Sequence, residues 1–155
     1  MFDVLVYLYE NYLHAGECPT EDHLVLKLSA AGFEDDDISD ALAWLAELNV
    51  STGNLPRAAQ GGPATRIYTA TEEVCLDTAC RGLLCFLEGA GVLDAVSREI
   101  VIEQACAMPL GQLTLHRLKV IVMMVLWLHE RSSDAAAFNA LLIDYRLDGA
   151  AMALH

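Results

Sequence analysis

"VSTGNLPRAAQGGPATRIYT", residues 50–69, is the stretch on which the fold turns. Two short β-prone pieces, near Val50–Thr52 and Thr65–Thr69, flank a Gly- and Pro-rich stretch without hydrophobic period. Three helical patterns come before it. Three helices followed by a hairpin is the order of a winged helix, although other folds share that order. Residues 1–70 are therefore predicted to form a winged-helix-like three-helix module with a short β-hairpin. Its tip, residues 53–64, is expected to be mobile.

The three helices are read from periodicity and caps. In "MFDVLVYLYENYLHAG", residues 1–16, Phe2, Leu5, Val6, Leu8, Tyr9, Tyr12 and Leu13 make a broad helical stripe that Gly16 can end. In "PTEDHLVLKLSAAGF", residues 19–33, Thr20 is a candidate N-cap and Gly32 a C-cap. In "GFEDDDISDALAWLAELN", residues 32–49, Ile38, Ala41, Leu42, Leu45 and Leu48 make the buried face. Glu34, Asp35, Asp36 and Asp37 stand at its start, where the helix dipole favours negative charge. Asp35 or Asp36 is expected to cap it. A DNA-reading helix would occupy this position in a winged helix, yet this one carries no Lys or Arg between Glu34 and Asn49.

The rest of the chain reads as four helices sharing one core with the first part, residues 71–150. "TATEEVCLDTACRGLLCFLEGAGVL", residues 69–93, opens with Thr69-x-x-Glu72, the spacing of a capping box. Leu76, Ala79, Leu83, Phe86 and Leu87 follow at helical intervals, and Gly89 and Gly91 end the helix. "DAVSREIVIEQACAM", residues 94–108, has Asp94 as a candidate cap and Pro109 as its stop. "LTLHRLKVIVMMVLWLHE", residues 113–130, is apolar on nearly every side after Lys119, the mark of a central helix. "SDAAAFNALLIDYR", residues 133–146, is a last amphipathic helix, and "LDGAAMALH", residues 147–155, is expected to fray.

Charge narrows the function. The chain carries −13 overall. Residues 1–55 hold eleven acids and a single base, Lys27, whereas residues 56–155 hold eleven acids and eight bases. Affinity for nucleic acid comes largely from Lys and Arg on phosphates, so direct binding is not expected of the first part. An acidic surface fits a basic patch on a protein partner. The longest apolar run, Val120–Leu128, falls far short of the roughly 20 residues that span a bilayer, and no basic segment precedes an apolar one at the start. A cytoplasmic protein with no membrane segment is expected.

Motifs for catalysis and cofactors are absent. The sequence has no GxxxxGK[ST], GxGxxG, GxSxG or HExxH. His14, Cys18 and His23 straddle a helix break without a fourth ligand, and His116 and His129 stand about 20 Å apart on one helix. No metal and no cofactor are expected. The five cysteines, Cys18, Cys75, Cys80, Cys85 and Cys106, contain no CxxC pair and read as buried free thiols. Asp77, Arg81 and Glu88 are a candidate polar group, with Asp77 and Arg81 at the spacing of an ordinary helix ion pair.

Several segments resemble the Smg family of bacterial proteins: "MFDVLVYLYENY", "AGFEDDDISDALAWLAEL", "RIYTATEEVCLDTACRGLLCFLEGAGVLD", "SREIVIEQA" and the "LK" followed by "MMVLW". The likeness runs over residues 1–130 in order and spacing. Its most specific pieces are the opening dodecapeptide, Arg66–Thr69, Leu76-Asp77 and Cys80-Arg81-Gly82. The resemblance implies a small cytoplasmic bacterial protein without an established activity and brings no catalytic residues. It also implies a gene neighbourhood that holds a DNA-processing protein of the transformation pathway and a topoisomerase-related protein. The combined expectation is a mainly α, non-enzymatic interaction module or adaptor. Its partner surface is Glu34, Asp35, Asp36 and Asp37, and its partner is a protein with a basic patch, a DNA-processing protein being one candidate. The alternative is a nucleic-acid-binding winged helix.

Overall fold

Local sequence signals place most of the helix ends. A computed structural model of the protein describes residues 1–13, 20–53 and 66–129. The helices are α1 (Phe2–Leu8), α2 (Glu21–Ala30), α3 (Asp35–Gly53), α4 (Ala70–Cys75), α5 (Thr78–Gly89), α6 (Ala95–Cys106) and α7 (Leu115–His129). The chain divides into two compact units, Met1–Gly53 and Asn54–His155.

In the first unit α1 and α2 both pack on α3. Val4, Leu5, Val6, Leu8 and Tyr9 are buried from the first helical segment, with Leu28 from α2 and Ile38, Ala41 and Leu48 from α3. Leu42 and Leu45 are only half-buried. After Leu8 the helix widens into a π-helical segment, Tyr9–Leu13, which periodicity does not foresee. Thr20 precedes α2 in extended conformation but makes no side-chain cap bond. The other end of α2 closes through Gly32, whose φ of 96° only glycine adopts without strain. There the Phe33 N–H donates to the Leu28 carbonyl and the Gly32 N–H to that of Ser29, satisfying the last turn.

The hairpin does not form. Val50–Thr52, expected to be β, is the last turn of α3. The Ser51 hydroxyl donates to the Glu47 carbonyl at 3.1 Å, one turn back. An established helix gains a backbone bond for each residue it adds, and this outweighs the few tenths of a kcal/mol that a β-branched residue costs. Arg66–Thr69 has no regular structure, with Thr69 extended at the start of α4, and its polar groups serve a helix cap and ion pairs instead of a ladder. No strand occurs among the described residues, so the chain is mainly helical without the wing. Thr65, Gly16, the loop tip beyond Gly53, the helix expected over residues 133–146 and the final stretch lie outside the described residues.

In the second unit α7 is central. Every residue from Leu118 to Leu126 is buried, as its all-round apolar pattern predicts. It packs chiefly on α6 and also on α5, while α4 lies on α6. The single helix expected over residues 69–89 is two helices. Leu76 is extended (φ −103°, ψ 109°), and Asp77 restarts the chain as the N-cap of α5. The break moves the buried face to Leu76, Cys80, Leu84 and Leu87. Ala79 is exposed, Leu83 is half-buried, and Phe86 stands 70% exposed. Asp94 caps α6 as expected, accepting the Ser97 N–H at 2.7 Å. No helix among the described residues is long and apolar enough to cross a membrane.

Candidate functional site

The acidic start of α3 is exposed throughout. Glu34 precedes the helix and its carbonyl accepts the Ile38 N–H, while Asp35, Asp36 and Asp37 fill the first turn. The expected cap by Asp35 or Asp36 is therefore displaced: both lie inside the helix, where the dipole favours them without a cap bond. Asp35 accepts from the Ser29 hydroxyl at 3.3 Å, and the Met1 amino group donates to Asp37 at 2.7 Å. Glu34 and Asp36 make no ion pair with any described residue. Lys27, the lone base of this unit, sits over the Tyr12 ring at 4.8 Å. Tyr7 lies tilted against Tyr12, centroids 6.4 Å apart, and meets the Phe33 ring edge-on, centroids 5.4 Å apart. The cations of the unit are thus engaged, and the carboxylates of the α3 approach face outward.

A second polar group lies in the other unit. Arg66 spreads its guanidinium over two carboxylates, donating from Nη1 and Nη2 to Glu72 and from Nε and Nη2 to Glu99 at 2.6–2.9 Å. Arg98 bonds Glu88 at 2.8 Å and shares Glu99 at 3.0 Å. Glu72 also accepts the Thr69 N–H, completing the capping box. The Arg66 bonds, then the backbone bond from Thr69, hold the Glu72 carboxyl down at about 2. Glu99 is lowered as well, first by Arg66. Carboxylates paired to arginines in this way stay ionised near neutral pH, so the network clamps Arg66 to α4 through Glu72 and to α6 through Glu99.

The expected group of Asp77, Arg81 and Glu88 is not brought together. Asp77 accepts the Cys80 N–H at 2.8 Å as a helix cap. Arg81 reaches Glu73 at 3.5 Å, and its Nε is buried without a hydrogen-bond partner. Glu88 belongs to Arg98. The thiols are not uniformly buried either. Cys80 is, and burial, then Asp77, pushes its thiol up to about 12. Cys85 is exposed, while Cys75 and Cys106 are half-buried. His14 and Cys18 lie outside the described residues, His23 is exposed, and no cluster of three metal-ligating side chains occurs among the described ones. Periodicity had no means of finding the Arg66–Glu99 contact, which joins residues 33 apart.

Comparison with known proteins gives one consistent result. Residues 1–149 match the family described as "Protein of unknown function (DUF494)". The chain is 54% identical over 143 residues to the Protein Smg homolog of Azoarcus sp. (strain BH72), covering 92% of each chain. The Protein Smg homolog of Aromatoleum aromaticum is 50% identical over 145 residues, which is 93% of this chain and 94% of that one. The Bordetella pertussis homolog is 47% identical over 146 residues, 93% and 95% of the two chains. No solved structure matches.

Proposed function

The chain belongs to the Smg family, described as protein of unknown function (DUF494), and from that premise we propose that it is a non-enzymatic interaction module or adaptor. Its contact surface is Glu34, Asp35, Asp36 and Asp37, and its partner is a protein with a basic patch. The observation that carries this is the set of four exposed carboxylates in a unit whose one Lys is already committed to an aromatic ring. Charges of this kind steer encounter more than they hold a complex. The gene neighbourhood that the resemblance implies makes a DNA-processing protein the first candidate for a pull-down.

Replacing Glu34 with Gln and Asp35 and Asp37 with Asn tests the surface. With the captured partner immobilised, surface plasmon resonance at two salt concentrations should give an association rate lower by about tenfold at low salt, with a flatter salt dependence. The helical circular dichroism signal should not change. An unaltered association rate would return the acidic run to the role of a solvated helix start.

Direct nucleic-acid binding is the alternative, and the ion pairs weigh against it. Of the two bases that a wing would have offered, Arg57 lies outside the described residues and Arg66 is saturated by Glu72 and Glu99. Fluorescence anisotropy with duplex DNA at about 50 mM salt should detect no micromolar complex. A complex that weakens steeply as salt is added would instead favour this alternative.

A further inference from the structure

We propose that residues 133–146, outside the described residues, dock antiparallel along α7, and that an ion pair between Asp144 and Lys119 fixes their register. The starting point is a burial that the neighbouring helices do not explain. Every residue from Leu118 to Leu126 is buried, and side chains over that many helical residues point in every direction. α6 packs along α7, and α5 packs on it to a lesser extent. Two neighbours cover two sides of a helix and leave the rest of its circumference open. Within this run Lys119 is only 4% exposed, on the same side of the helix as Val122, Met123 and Leu126. A buried ammonium is costly unless a carboxylate meets it, and Lys119 is not without a partner. The acids from α4 to α6 serve elsewhere. Glu72, Glu73, Glu88 and Glu99 hold arginines, the N-caps of α5 and α6 hold backbone N–H groups, and Glu103 stands exposed.

The segment "SDAAAFNALLIDYR" has the reach, the apolar face and the charge for this place. It belongs to the same compact unit as α7. It follows α7 after only Glu130, Arg131 and Ser132, a connection of the length that joins antiparallel helices. At helical spacing Phe138, Leu141, Leu142 and Tyr145 share one stripe, which suits the open side of α7. A chain that folds back over residues 130–133 sets Asp134 beside His129. Lys119 stands ten residues before His129, and Asp144 ten residues after Asp134. Both therefore lie about 15 Å from the turn, level with each other. Asp144 borders the stripe, three residues beyond Leu141, so its carboxylate meets the ammonium from the flank of the contact. Glu130 and Asp134 stay at the turn, and Asp148 lies one helical turn past Lys119. A slipped register would leave the ammonium buried without a carboxylate, so the pair selects a single alignment.

The test uses the full chain. Asp144→Asn strands the buried ammonium and should lower the melting temperature by about 10 °C. Lys119→Met should lower it by a similar amount. Lys119→Met combined with Asp144→Leu should recover most of the loss, because an apolar pair takes the place of the ionic one. Asp148→Asn and Glu103→Gln should each shift it by less than about 2 °C. A second pair of variants reads the register without relying on stability. Val122 and Leu141 lie three residues nearer the turn on the two facing stripes. Val122→Cys with Leu141→Cys should close a disulfide under mild oxidation and join tryptic peptides 120–131 and 132–146 within one chain. Val122→Cys with Ala140→Cys, on the far side of the segment, should not. A loss from Asp148→Asn or Glu103→Gln as large as that from Asp144→Asn would overturn the pair, and so would a double variant no more stable than either single one. A 122–141 link that is absent, or that forms only between two chains, would overturn the docking.

Discussion

Met124→Asp should abolish the cooperative folding of the second unit. Met124 is 0% exposed, midway along α7, in a run where each neighbour is also buried. The residues one turn away on either side, Val120, Ile121, Trp127 and Leu128, offer no cation. An aspartate here must ionise without a partner or stay protonated with its polar atoms unsatisfied, and either costs about 3–5 kcal/mol. Losing the methionine side chain removes about 2–5 kcal/mol more. Together these match a typical domain's whole stability of about 5–15 kcal/mol. Urea titration followed by circular dichroism should show no folded baseline. Met124→Leu, close in volume and wholly apolar, should cost less than about 1.5 kcal/mol. A Met124→Asp chain with a normal transition would mean that α7 is not the core of its unit.

That prediction rests on a feature visible in the sequence, because a run from Val120 to Val125 without a polar residue has no exposed side wherever it is helical. Caps were also legible where the whole signal fits within four residues: Thr69 with Glu72, and Asp94 at α6. So were the glycines that end helices, since Gly32 and Gly91 take a left-handed backbone that other residues avoid. What failed did so for physical reasons. Asp77 has two local roles open to it, pairing Arg81 one turn on or capping Cys80 three residues on. Choosing the first hid the helix break and set Ala79 and Phe86, both exposed, on one apolar stripe with Leu76. Val50–Thr52 has the composition of a strand, but α3 was already propagating into it. The exposed acids of α3 could be read as exposed, whereas the Met1 and Ser29 contacts depend on tertiary geometry.

The same limit applies to Arg66, whose importance appears only when the chain has folded. Arg66→Ala should destabilise the second unit by about 2–3 kcal/mol at pH 7, in the range for losing one member of a partly buried, bidentate ion network. The arginine donates four hydrogen bonds, and its removal leaves Glu72 with only its capping bonds and Glu99 with Arg98 alone. Glu72 supplies a test by pH. Its carboxyl lies at about 2 in the folded chain, against an ordinary 4.5. A depressed carboxyl stabilises the fold above its unfolded value, and that contribution disappears as pH falls from about 4.5 towards about 2. The full shift would correspond to about 3 kcal/mol, which partial exposure of the network reduces to about 2. Arg66→Ala removes the main cause of the shift. The difference between wild type and variant should therefore shrink by about half between pH 7 and pH 3. Arg66→Lys should fall between them, keeping the charge but not the fork that grips two carboxylates at once. Urea midpoints for the three chains at both pH values decide the matter. A cost below about 0.5 kcal/mol at pH 7 would reduce the network to ordinary surface pairs, and a cost that stays constant down to pH 3 would remove Glu72 from the explanation.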